Sequence, residues 1–393
     1  MESLRKFFSP QLQSKSAGNV ERHASWLELF YDLAYVASIG ALAHHVLAHF
    51  SLVTVLGSIL LLAPIWWAWV GSTFYADRFD TNDPGHKLLT LGKMIAIIGM
   101  ALSIPDGFDQ GYSSFIGFYI VIRLLLILSY IIASKFNHSA RGLIRSYLQG
   151  FTLALLIWIS TIFLPIELRP FGMIVALLVE FATPYLAFHE QVKLPVDVSH
   201  VRERFGLFTI ILLGEILLSM TKAVEDATSK GTVIWIALLT VILVFCIWWL
   251  YFSLEKETVL LNFRWSRLAW LNLHLVLTFG LMLFAIGIEQ AILGEFSYHP
   301  ETAQLFLLAN GIVVLSLAGI DIVTKTKLAQ GILASGSAQK HKVLFKILAG
   351  SGLIVAGVVL VPAVTVNTVV IMVGILGVYT GIVAQVWHIN RRV

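Results

Sequence analysis

The sequence predicts an all-α integral membrane protein with about 12 transmembrane helices in two parallel six-helix repeats. Three observations lead there. With 58% hydrophobic residues, 13% charged residues and a mean hydropathy of +0.84, the chain is too apolar for water to be its main solvent. Its apolar runs reach the roughly 20 residues that a helix needs to cross a hydrocarbon core. A shift of 182 residues lays Ala63-Pro64-Ile65-Trp66-Trp67-Ala68-Trp69 over Phe245-Cys246-Ile247-Trp248-Trp249-Leu250-Tyr251.

Nearly the same shift holds on both sides of that motif. It pairs Arg22 with Arg204, brings Asp32 within one residue of Glu215, and sets Gly99 beside Gly280. Enrichment of Trp at membrane interfaces explains a tryptophan pair, but not three helices in register. The chain therefore divides into a polar N-terminal segment, 1–24, a first repeat, 25–194, and a second repeat, 195–393. The N-terminal segment lacks the short apolar core and small-residue cleavage site of a secretory signal, so it is expected to stay on the protein.

The first repeat opens with a run over 25–48 that carries Glu28 and Asp32, and 51–76 follows with the first tryptophan pair. The run 86–105 holds Lys93, 113–134 holds Arg123, 142–165 is uncharged after its start, and 170–188 holds Glu180. In the second repeat, 203–223 carries Glu215, 231–253 the second tryptophan pair and 266–288 His274, and 302–323, 342–362 and 366–388 complete the set. Six runs per half return each repeat to the side where it began, so the duplication is parallel rather than inverted.

Alternate connections differ in charge. Those on the side of the N-terminus hold 22 of the 27 Lys and Arg, while the opposite connections hold Arg169, Lys222 and Lys230. Both termini are therefore expected to be cytoplasmic, in a plasma (inner) membrane. The same loops account for the pI near 9.0 without a nucleic-acid partner. A single cysteine, Cys246, excludes an internal disulfide and thiolate metal sites. No Gly-rich phosphate loop, zinc-protease His pair or nucleophile elbow stands at a usable spacing, so no enzyme activity, cofactor or metal is expected. The connection from Asp77 to Pro84 has carboxylates three apart, but Asp-Pro is ordinary turn chemistry and the spacing is not that of a calcium loop. Lys325 to Lys346 is the longest connection.

Ionisable residues at membrane depth are where function is sought, because each costs at least about 2.5–3.5 kcal/mol at a helix centre. Glu28 and Asp32 share one helix face at i,i+4, with Ser25 and Tyr35 on the same stripe. With Arg22 and Arg204 as cytoplasmic boundaries, Asp32 and Glu215 lie roughly 15 and 16 Å deep. That depth is near the midplane, and a pseudo-twofold axis would place the two acids on opposite walls of a central cavity. Glu28, Asp32, Glu180 and Glu215 outnumber the internal bases Lys93 and Arg123 by two, which favours a proton or cation path over purely structural pairing. Lys93 either snorkels to the interface or joins the site. His274 either titrates or is a hydrogen-bonded bundle histidine. Asp321, close to Lys325 and Lys327, is expected at the interface.

The stretch Arg22-His23-Ala24-Ser25-Trp26-Leu27-Glu28-Leu29-Phe30-Tyr31-Asp32-Leu33 resembles the opening of the bacterial low temperature requirement protein A family. Asp77 to Pro84, Ile104-Pro105, Tyr119 through Arg123, and Glu203-Arg204-Phe205-Gly206-Leu207-Phe208 leading to Leu213-Gly214-Glu215 agree with it, over nearly the whole chain. Asn82 stands where the family more often has an acid. The resemblance implies a multi-pass inner-membrane protein associated with growth in the cold, and it carries over Glu28, Asp32, Arg123, Arg204 and Glu215.

Two classes of function follow. In one, a transporter or a two-repeat cation channel moves protons, cations or small solutes. There Asp32 and Glu215 carry the coupling charge, Glu28 and Glu180 tune it, and Arg123 is the internal counter-ion. In the other, a noncatalytic membrane factor binds lipid or a partner protein through its basic loops. Water around the acids favours the first; acids sealed against Arg123 and Lys93 favour the second.

Overall fold

The computed structural model describes residues 8, 10, 12, 23–79, 83–105, 111–227, 230–254, 264–325, 337–360 and 367–390. Thirteen α-helices run through them. In chain order they are α1 (Trp26–Ala48), α2 (Leu52–Phe79), α3 (Pro84–Ser103), α4 (Tyr112–Phe136), α5 (Arg141–Ile162), α6 (Arg169–Leu186) and the short α7 (Phe188–Lys193). Then come α8 (Val198–Asp226), α9 (Lys230–Leu254), α10 (Arg264–Ile292), α11 (Pro300–Lys325), α12 (Ser337–Val355) and α13 (Thr368–Asn390).

Ten of the helices are long and apolar enough to cross a membrane, two fewer than the twelve runs expected. The expected runs 170–188 and 342–362 make up the difference. The first becomes α6, 18 residues with Pro184 inside its last turn, where the ring removes a hydrogen bond and ends the helix early. The second becomes α12, whose apolar part spans only Val343–Val359 and passes into a π-turn over Ala356–Leu360.

The chain packs as two compact units, Met1–Phe208 and Thr209–Val393, so the division falls within α8. In unit 1, α3 packs on α4 and α1, α5 packs on α4 and α6, and α2 packs on α1 and α4. Its core is aromatic, with Tyr75, Phe79, Tyr130, Tyr147 and Phe151 buried together. Gly99 sits on the ring of Phe118, where an added Cβ would lie 2.5 Å from a ring carbon. Only a residue without a side chain lets α3 and α4 approach this closely.

In unit 2, α10 packs on α11, α11 on α12, and α9 on α13. Gly311 of α11 and Gly350 of α12 meet backbone to backbone, since a Cβ on Gly311 would stand 2.9 Å from the carbonyl of Gly350.

Candidate functional site

The site in unit 1 is built from two helix N-termini. Ser25 caps α1 in a capping box: its hydroxyl accepts from Glu28 N at 3.3 Å, and its own N–H donates to Glu28 Oε2 at 2.8 Å. This cap starts the helix at Trp26, so Glu28 lies in its first turn and Asp32 only about 9 Å along it. Measured from the helix start, Asp32 lies about midway between the N-terminal end of α1 and its middle. Asp197 caps α8 by accepting from the N–H groups of Ser199 (3.0 Å) and His200 (3.4 Å). The cap leaves His200 and Arg204 one turn apart on one face, the same spacing as Glu28 and Asp32.

These two i,i+4 pairs meet. Arg204 donates from Nε to Asp32 Oδ2 (3.2 Å), from Nη2 to Asp32 Oδ1 (2.5 Å) and from Nη1 to Glu28 Oε1 (2.6 Å). Trp69 of α2 adds an indole N–H to Asp32 Oδ1 at 2.7 Å. Two turns further along α2, Asp77 Oδ1 stands 3.0 Å from His200 Nδ1, and Asp77 Oδ2 accepts from Asp197 N at 3.1 Å. The other ring nitrogen of His200 lies 3.3 Å from Glu28 Oε1, within ion-pair distance. Glu28, Asp32, Asp77, His200 and Arg204 are all buried. Phe205 and Phe208 close the site on one side, with ring centroids 4.7 and 4.3 Å from that of Trp69.

A second ionic centre lies in the same unit. Arg123 of α4 donates from Nε to Glu180 Oε1 at 2.7 Å and pairs through Nη2 with Glu180 Oε2. Tyr119 donates to Oε2 at 2.5 Å and Trp158 to Oε1 at 3.2 Å. The guanidinium is stacked between the rings of Tyr119 and Phe151, 5.4 and 5.0 Å from their centroids. From the first centre, Tyr31 bonds Tyr35 (2.7 Å) and donates to Ser72 (2.8 Å). Gly71, beside Ser72, faces Arg123 Nη1, which would stand 3.0 Å from a Cβ there.

Several expectations change here. Arg123 is the counter-ion of Glu180, not of Asp32; the partner of Asp32 is Arg204. Arg204 is therefore a buried base, and counting it cuts the apparent excess of acids from two to one. Lys93 is buried over the rings of Tyr31 and Tyr75, at 5.3 and 6.0 Å, rather than snorkelling. Asp77 belongs to α2 and to the site, not to the connection; Asp80, Thr81 and Asn82 lie outside the described residues, as does Arg22. In unit 2, Glu215 is half-buried and has no side-chain partner among the described residues. His274 is the bundle histidine, bonded to Tyr251 Oη (3.1 Å) and the carbonyl of Trp270 (2.8 Å). Asp321 is buried and paired with Lys346 Nζ at 2.8 Å.

Sequence reasoning missed His200, Asp77 and Lys346. The signal for His200 was present. It stands four residues before Arg204, as Glu28 stands four before Asp32, and two complementary i,i+4 pairs are candidates to meet.

Among known proteins, residues 23–379 match the family model described as bacterial low temperature requirement A protein. The chain is also 27% identical over 315 residues to an uncharacterized protein of Rhizobium meliloti (strain 1021), covering 75% of this chain and 76% of that one.

Proposed function

The chain belongs to the bacterial low temperature requirement A family, and from this premise we propose that it is a proton- or cation-linked transport protein of the membrane. The observation that carries the proposal is the position of His200 between the carboxylates of Glu28 and Asp77. The two ring nitrogens lie 3.0 Å from Asp77 Oδ1 and 3.3 Å from Glu28 Oε1, so a ring protonated on both would hold its charge between two carboxylates. Arg204 offsets one of the two carboxylates it bridges, and a proton on His200 offsets the next. Histidine is the member of this cluster whose residue type exchanges a proton in the physiological range, so His200 is the exchanging group and Arg204 the fixed charge.

In this proposal Asp32 and Glu28 hold the cluster and Glu215 remains the candidate acid of the second repeat. The fuller architecture keeps twelve crossings, two parallel six-helix repeats and cytoplasmic termini. Arg123 and Glu180 act as a latch: Glu180 accepts from Arg123, Tyr119 and Trp158, which leaves little reason for its carboxylate to change partner. The sealing of Asp32 and Glu180 from water supports a second reading, a noncatalytic factor that binds lipid or a partner protein through its basic loops.

A flux assay separates the two. Purified protein in liposomes, with pH- and potential-sensitive dyes, is compared with Asp32→Asn across a panel of monovalent cations. Transport predicts a flux that the variant loses. No flux under any gradient turns the weight to the binding factor.

A further inference from the structure

Unit 2 holds one buried ion pair among its described residues, and its base is lysine rather than arginine. Lys346 Nζ and Asp321 Oδ2 are 2.8 Å apart, with side chains 2% and 1% exposed. The difference in base matters chemically. A guanidinium stays charged in any protein environment, whereas a buried ammonium can give up its proton. One turn along α11 from Asp321, the hydroxyl of Thr324 is buried with no hydrogen-bond partner among the described residues. In the same unit Ser316 donates back to Ile312 and Thr240 to Ile236, whereas Thr324 does not. A carboxylate and a free hydroxyl three residues apart on one face form the oxygen donor set that hard cations take. The helices carrying the pair are held independently of it, because Gly311 and Gly350 fix α11 against α12 by backbone contact. The pair can therefore open without the helices parting.

We propose that Asp321, Thr324 and Lys346 form a site where a monovalent metal cation exchanges for a proton. The cation takes the carboxylate of Asp321 and the hydroxyl oxygen of Thr324. The ammonium of Lys346 leaves the carboxylate and releases its proton to water, becoming a neutral amine. Charge balances, with one cation bound for one proton released. The helices packed around α11 and α12 carry other titratable groups in their buried stretches. Among the described residues these include Arg267, His274 and Glu289 of α10, with His274 bonded to Tyr251 and Trp270, Tyr251 and Cys246 of α9, and Tyr379 of α13. The one carboxylic acid among them, Glu289, lies at the end of α10 where Gly287 meets Phe306, away from Asp321.

The test measures binding, so its failure and the failure of the His200 proposal are distinguishable. Full-length protein in detergent and weak buffer, with a pH dye, receives NaCl, KCl or LiCl, with choline chloride as the control. The wild type should release a proton per chain with at least one metal cation and none with choline. Lys346→Arg keeps the charged pair and the fold but has no proton to give, so its release should vanish; Thr324→Val should weaken the apparent affinity several-fold. Asp321→Asn should also release nothing, and if it fails to fold, Lys346→Arg carries the test alone. Absence of release with all three cations, or equal release from Lys346→Arg, overturns the proposal.

Discussion

The Ile-Trp-Trp motif occurs once in each unit, and its two copies have different surroundings. In unit 1, Trp66 is 2% exposed and packs edge-on against Phe205 and Phe208, and Trp69 donates its indole N–H to Asp32. In unit 2, Trp248 is 40% exposed, and among the described residues its ring contacts are with its own helix neighbours Phe245 and Phe252. The position equivalent to Trp69 is Tyr251, which bonds His274 rather than an acid. The two occurrences of the motif thus share a helix and its aromatic content, while a shielded charge lies at one of them. Buried charge demands a wall of large side chains and donated hydrogen bonds; where the charge is absent, the same tryptophan is released to face outward.

Removing the charge partner tests this contrast most strongly. Arg204→Met leaves Glu28 and Asp32 buried without their base and should cost unit 1 about 3–5 kcal/mol, seen as a large fall in the unfolding temperature in detergent. Adding Asp32→Asn and Glu28→Gln to it should recover much of that loss, because no uncompensated charge remains. Failure of the recovery would show that Arg204 acts through packing alone.

Next in size is the motif itself. Trp66→Ala should cost about 3 kcal/mol as a large core truncation, while Trp248→Ala should fall within about 0.5 kcal/mol of wild type. Equal losses measured by the same thermal scan would contradict the distinction between the copies. A smaller effect is expected at the latch. Arg123→Lys keeps the charge but cannot hold both oxygens of Glu180, and should cost about 1–3 kcal/mol. Smallest is Glu215→Gln, whose half-buried side chain has no partner among the described residues. Its stability should stay within about 0.5 kcal/mol of wild type, so any loss of flux in that variant reports function rather than folding.

Much of this was legible in the sequence. Apolar runs located the long helices because lipid forces every backbone group into intrahelical hydrogen bonds. The i,i+4 acids of the first helix and the acid-base candidates Arg123 and Glu180 were visible as costly charges in apolar surroundings. What stayed hidden was pairing. Nothing in local periodicity says that Arg204, 172 residues from Asp32, lies against it, and an arginine near a run's end looks the same whether it marks an interface or turns inward. Asp77 was misjudged for a related reason: α2 runs on to Phe79, past the end of its apolar stretch, because buried partners stabilise the polar turns. Lys346 was counted as a loop cation since sequence shows its distance from the helix start but not its contact with Asp321.

The measurement that bears most directly on the account is proton flux into liposomes for wild type and His200→Gln, which keeps a polar side chain at the position but cannot exchange a proton. The account predicts measurable flux in wild type and its loss in His200→Gln, with the variant still folded and monodisperse. Undiminished flux in His200→Gln would contradict it, and would mean that the cluster around Arg204 holds the helices together without carrying the proton.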